Sequence, residues 1–410
     1  DRQLYIDFSE VRGEQIISEI KDLITFYEPE NPTCTLFTGH IGCGKSTELL
    51  KLRAELEDDG FHVVYFESTE DLEMADVDIG DVLLAIARRI SQSIEGLNLD
   101  EPKGLKGILQ GAARILMTEV ELDGEFSLSL GIGEITARAK NDATLRDRLN
   151  QFLGPQKNQL VDGINNELLK PAIAQLKQQG QKGLVVIVDN LDRVDKRPKA
   201  FGRSQQEYLF IDQHECLRNL HCHKVYTIPL ALKFSSEYGL LTARYIDDPK
   251  VLPMVPAQLR NGEICEQSMA LLRQLVLARA LPNSTESERL AAISELFDAP
   301  ETLDRLCQVS GGHVRDLLRL LNGWIRKQRQ FPLSRDALEA TIRSRRNEMT
   351  LQLSYEEWAL LRQVRERKRV GGDQDYQTLI HSRLVFEYRN QGESWFDVNP
   401  ILLESEALQT

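Results

Sequence analysis

The sequence predicts an α/β fold: a parallel sheet carrying an insertion, then a helical lid domain, then a small winged-helix domain. Three observations predict it. Short β-rich apolar runs alternate with helical sequence through the first 255 residues. A glycine loop separates the first of these runs from a helix. Beyond Pro256 the strands stop, and helical spacing takes over until about Arg345. At 410 residues the chain exceeds one ordinary core, so two or three domains are expected.

The first strand is read at Thr33 to Thr38, and the helix after the loop begins at Thr47. Further buried strands are expected at His62 to Phe66, Leu184 to Val188, Val225 to Leu230 and Val251 to Val255. The connection of roughly a hundred residues between the second and third strands is too long for a loop and must carry structure of its own. Its ends, Asp81 to Gly96 and Leu160 to Gln178, are spaced as helices. Phe126, Leu128, Leu130 and Ile132 alternate, with Gly131 and Gly133 near the middle, which predicts a hairpin over Glu125 to Lys140. The core domain is therefore set at 1–255, with the insertion at about 97–160.

Pro282, Pro300, Gly311-Gly312 and Pro332 mark turns between helices of a second domain, 256–349. From 350 to 410 the order is a helix from Tyr355 to Arg367, a turn at Gly371-Gly372 and a helix from Asp375 to Ser382. Two β-rich runs follow, Leu384 to Arg389 and Ser394 to Val398, joined through Asn390-Gln391-Gly392. Two helices and a hairpin read as a winged helix.

Composition excludes several classes. Hydrophobic residues are 41% and charged residues 28%, the balance of a globular chain. No run approaches the ~20 apolar residues of a membrane span, and no leader pattern opens the sequence. Six scattered cysteines make no disulfide framework and point to a reducing, cytoplasmic setting. The net charge is -13, yet Gly311 to Val370 holds 14 Lys or Arg against 7 Asp or Glu, a local +7. His214, Cys216, His221, Cys222 and His223 are spaced poorly for zinc and read as helix-end and core residues.

The segment Gly39-His40-Ile41-Gly42-Cys43-Gly44-Lys45-Ser46 meets every fixed position of G-x-x-x-x-G-K-S, in the strand-loop-helix setting that this motif requires. The glycines let backbone N–H groups face phosphate oxygens, and the helix start, including Thr47, adds its positive end. Lys45 is expected on the β- and γ-phosphates of ATP, and the Ser46 hydroxyl on Mg²⁺. The third strand delivers Asp189 to the sheet edge, where a second Mg²⁺ contact is expected.

With these residues in this order, the chain resembles an AAA+ or STAND-type P-loop NTPase. The resemblance rests on Walker A at Gly39 to Ser46, Walker B at Asp189, a polar residue at Thr227 in the next strand, and Gly311-Gly312-His313-Val314-Arg315 in the helical region. It implies that Thr227 is sensor 1 and Arg315 sensor 2, both directed at the γ-phosphate. It also implies that Arg244 reaches a neighbouring subunit of a homo-oligomer, and that Tyr5, Ile6 and Arg12-Gly13 cover adenine. Asn190 stands where such enzymes carry their water-activating glutamate, so Asp192, or failing it Glu67, is expected as the base. The expected function is an ATP-driven switch that hydrolyses ATP. The alternatives are an ATP-controlled DNA-binding or remodelling factor and a non-hydrolysing nucleotide-binding scaffold. A protein partner for the insertion or the winged helix belongs to the same expectation. The basic run Arg362 to Arg369 is interleaved with acids, and Asp375 to Ser382 holds no arginine, so base reading by that helix is not expected.

Overall fold

The computed structural model describes residues 4–13, 15–97, 99, 103–116, 128–199, 202–351, 353–371, 374–390 and 392–409. It confirms the predicted α/β class. The five strands β1 (Cys34–Gly39), β2 (His62–Glu67), β3 (Leu184–Asp189), β4 (His223–Thr227) and β5 (Lys250–Leu252) form one sheet in the order β2-β3-β4-β1-β5. The registered pairs β2/β3, β3/β4 and β1/β4 are parallel. All six residues of β3 are buried, as expected of a strand covered on both faces. The fourth strand is shorter than its apolar run, because Pro229 lacks the N–H that would extend the ladder.

Internal contacts divide the chain into two units. The larger comprises Ile17–Thr38 and Glu48–Lys250. Its helices include α1 (Lys45–Asp58, from its fourth residue), α2 (Ile79–Ser93), α3 (Lys103–Ile115), α4 (Leu128–Asn141), α5 (Ala143–Leu153) and α6, which runs through 157–178 with a π-helical stretch at Ile164–Leu169. Leu84, Ile132, Leu149, Ile164 and Val186 belong to one continuous core, which joins the insertion to the sheet. The predicted hairpin over Glu125 to Lys140 is corrected: Leu128–Asn141 is helix, while Glu125 and Phe126 lie outside the described residues. Ser129, Gly131, Ile132, Ile135, Thr136 and Ala139 are buried, a helical spacing, and Leu130 points outward. Gly133 serves close packing rather than a turn, since a Cβ there would lie 3.1 Å from Nε of Arg88 on α2.

The other unit comprises Asp1–Ile16, Gly39–Thr47 and Val251–Thr410. Its helices are α7 (Glu266–Ala280), α8 (Pro300–Val309), α9 (Val314–Gln328), α10 (Arg335–Thr350), α11 (Tyr355–Arg367) and α12 (Gln374–His381), with two short helices between α7 and α8. An antiparallel hairpin follows, β6 (Val385–Asn390) and β7 (Glu393–Val398). Gly372 and Gln391, expected in turns, lie outside the described residues. Phe8, Leu272, Leu306, Leu317 and Trp324 share the core of this unit. Among the described residues no helix is long and apolar enough to cross a membrane.

Candidate nucleotide site

The loop that follows β1 lies in the same unit as α9 and the β6–β7 hairpin, and it is fastened to both. Gly42 has φ +96°, and a Cβ there would lie 2.8 Å from Cβ of Arg315 and 2.9 Å from the His313 ring, so only glycine fits the turn and its neighbour. The Arg315 N–H donates to the Gly42 carbonyl at 3.2 Å. His313, fully buried, donates Nε2–H to the Ile41 carbonyl at 2.9 Å. In the neutral ring its Nδ1 caps α9 by accepting the Asp316 N–H; protonated, it faces Asp316 Oδ2 at 2.9 Å. Burial raises the Asp316 carboxyl, but the hydrogen bond and charge of His313, with Arg383 and Arg345 beyond it, outweigh this and hold it below the usual range.

From the hairpin, the Glu387 N–H donates to His40 Nε2 at 2.9 Å, which fixes the proton of this ring on Nδ1. Phe386 stacks on His313 at 5.3 Å between ring centroids and meets His40 edge-on at 5.4 Å. Met254 donates its N–H to the Glu387 carbonyl, and the Tyr388 hydroxyl donates to the Gly311 carbonyl, so β6 is held on both sides. Arg12 is buried and donates to the Cys43 carbonyl at 2.7 Å, 31 residues away in sequence. Lys45 is buried and donates Nζ–H to the carbonyls of Gly39 and His40, at 2.8 and 3.1 Å. Ser46 is half-buried and Thr47 exposed at the start of α1.

The remaining predicted residues belong to the other unit. Asp189 ends β3 in register with Glu67 at the end of β2. Its Oδ2 accepts the Tyr65 hydroxyl at 2.8 Å and its Oδ1 the Asn190 N–H at 2.7 Å. Burial, with the charge of Asp189 behind it, pushes the Tyr65 phenol well above its ordinary value, so Tyr65 stays a donor. Asn190 is left-handed, φ 60°, and its amide donates to Glu67 Oε2 at 2.6 Å. Thr227 is fully buried; its Oγ1 accepts the Leu191 N–H at 2.9 Å and donates to the Val188 carbonyl at 3.3 Å, tying the turn after β3 to β4. Asp192 is mostly buried in that turn. Arg244 is engaged with Asp212 and the Ile211 carbonyl.

Residues 14–199 match the KAP family P-loop domain. This part of the chain is a P-loop NTPase domain. The ORC2 protein of Aeropyrum pernix, in ADPNP and ADP complexes, is 12% identical with a TM-score of 0.43; the match covers 96% of this chain and 91% of that one. A Walker-type ATPase of Pyrococcus abyssi is 14% identical, with a TM-score of 0.38 and coverage of 96% and 95%. Cdc6p of Pyrobaculum aerophilum is 11% identical, with a TM-score of 0.39 and coverage of 95% and 91%. No curated protein matches the chain.

The structure makes contacts at this loop that the motif alone does not signal. His40 and Ile41 occupy unspecified motif positions, yet they carry the attachments to β6 and α9. Tyr65 is a polar tip in an apolar strand two residues before Glu67, and that alternation was the available signal. Gly42, Gly44 and the N-terminus of α1 suit a nucleotide phosphate chain, and the donor set of Lys45 and Ser46 suits ATP with Mg²⁺.

Proposed function

We propose that the chain is a Mg²⁺-dependent ATPase acting as an AAA+/STAND-type nucleotide switch. One observation carries this reading: the phosphate-binding loop is bonded through its own backbone and His40 to α9 and to the C-terminal hairpin. A change in the loop therefore changes what α9 and β6 are held against. Gly39 to Thr47 would hold the phosphates, and Ser46 with Asp189 the Mg²⁺. ATP with Mg²⁺ supplies the transferable phosphoryl group and its charge neutralisation.

Lys45 has to leave the Gly39 and His40 carbonyls to serve as a phosphate ligand, and this exchange of partners is the first step of the switch. Arg315, at the start of α9, is the sensor that reports the γ-phosphate to the helical region. Asp192 or Glu67 acts as base, because Asn190 is an amide and already donates to Glu67. In Thr227 the hydroxyl orients the turn that carries Asp192. Helices α11 and α12 with the β6–β7 hairpin act as the winged-helix output, and six free cysteines suit a cytoplasmic setting. Arg244 serves a homo-oligomeric form by leaving Asp212 for a neighbouring site.

Phosphate release and nucleotide binding, measured side by side, test this. Lys45→Ala should lose binding; Asp189→Ala and Asp192→Ala should bind nucleotide but lower turnover by about 10²-fold or more. Binding by the wild type without any phosphate release would remove the hydrolytic reading and leave the nucleotide-binding scaffold.

A further inference from the structure

The solvent face of α9 carries a line of arginines. Arg315, Arg319, Asn322 and Arg326 lie at spacings of four, three and four residues, which places them along one line of the helix, and all four are exposed. The opposite face is core, with Leu317, Leu320 and Trp324 buried. Among the described residues, the guanidinium groups of Arg315, Arg319 and Arg326 make no hydrogen bond or ion pair. Asp316 is the one acid on the helix, and it is buried under His313. Arg345 and Arg383 stand beside the line. Burial, opposed by the charge of Asp316, holds Arg383 below its ordinary value, with Arg345, Arg319 and Arg315 adding to the fall. Arg383 also occupies left-handed backbone, φ 61°, a conformation that costs a non-glycine residue and places an arginine where glycine or asparagine would be cheaper.

The basic run Arg362 to Arg369 behaves differently. Arg362 donates to the Ala407 carbonyl, and Lys368 pairs with Asp397 at 2.5 Å. Part of the positive charge that the sequence concentrates there holds the C-terminal region together, whereas the charge on α9 is unspent.

From this line we infer that α9 binds the phosphodiester backbone of a nucleic-acid duplex through Arg319 and Arg326, Arg315 being left to the nucleotide. Arg319 and Arg326 are seven residues, about 10.5 Å, apart along the helix, with Asn322 between them, a reach that spans several phosphates of a strand. The line carries no aromatic residue on which an unpaired base would stack, which favours a duplex over a single strand. Fork-shaped donors suit phosphate oxygens better than a point charge does. The contact is to backbone, so it positions the duplex without reading its sequence. This inference stands independently of hydrolysis, since Arg319 and Arg326 are not part of the nucleotide site.

The test is fluorescence anisotropy with a labelled mixed-sequence DNA duplex across a salt series, on the full chain. The double variant Arg319→Glu/Arg326→Glu should weaken binding at least tenfold at low salt. The neutral pair Arg319→Gln/Arg326→Gln should lower the slope of log affinity against log salt by about two, and the lysine pair should restore most of the affinity. ATP binding should be unchanged in all three, which separates failure here from failure of the ATPase reading. Duplex binding that is unaffected in both the Glu and Gln pairs, absent in the wild type, or displaced equally well by poly-glutamate at matched charge would overturn the inference.

Discussion

His40 shows how much one side chain in a nucleotide loop can be asked to do. Its ring accepts a backbone N–H from β6 and meets Phe386, and it is almost wholly buried. Replacing it with alanine leaves the Glu387 N–H buried without an acceptor, a cost of about 1–3 kcal/mol. Amide exchange at Glu387 should then speed up by about 5- to 150-fold, since 1.4 kcal/mol is one factor of ten, while Lys45 keeps its carbonyl partners. An unchanged exchange rate would show that the hairpin is held by Tyr388 and Met254 alone. The fixed positions of the loop were legible because they are contiguous in the chain and their chemistry is local. The roles of His40 and His313 were not, because their partners lie 347 and 272 positions away and no local pattern marks them.

At the scale of elements, α2 begins with a reciprocal cap in which Asp78 and Asp81 exchange hydrogen bonds with each other's backbone. Burial drives the Asp81 carboxyl up to about 7, against the hydrogen bond from the Asp78 backbone; the Asp78 charge adds to the rise, and Arg146 and Lys199 oppose it. The sign follows from linkage. The folded state keeps a proton that the unfolded chain has lost, so this contribution is fully present below about pH 4 and fades as pH rises through about 7. Asp81→Asn keeps an acceptor for the Asp78 N–H and removes the titration, so it should stabilise the protein by up to about 4 kcal/mol above pH 7 and by little at pH 4. Denaturant midpoints at the two pH values measure the difference, and an equal shift at both would mean that Asp81 is ionised throughout. The neighbouring α4 shows why elements were harder to read than motifs: the alternating residues there included Leu130, an exposed leucine that imitates a strand's inward face. Only the packing of Gly133 and Ile132 within the folded insertion reveals the helical period.

Across the whole molecule, the strand-by-strand alternation that revealed the fold class says nothing about where the nucleotide loop spends its contacts. Sequence order places Gly39 to Thr47 inside the α/β part, but contact density places them with the helices and hairpin after Val251, because His313, Arg315, Arg12 and β6 all bond to the loop. Each unit has its own buried cluster, one around the sheet and insertion and the other around Trp324 and Leu306. Two cores of this size should melt as two calorimetric transitions. Saturation with Mg-ATP at about 100 times its dissociation constant adds about 2.7 kcal/mol to whatever state binds it. That gain should appear chiefly in the transition of the unit that owns the loop, with a smaller shift in the unit that owns Asp189. Lys45→Ala should abolish both shifts without moving the transitions of the nucleotide-free protein by more than a few degrees. If nucleotide raised only the transition of the sheet-bearing unit, the attachments to α9 and β6 would not be energetically coupled to binding, and the switch would have to work through another part of the chain.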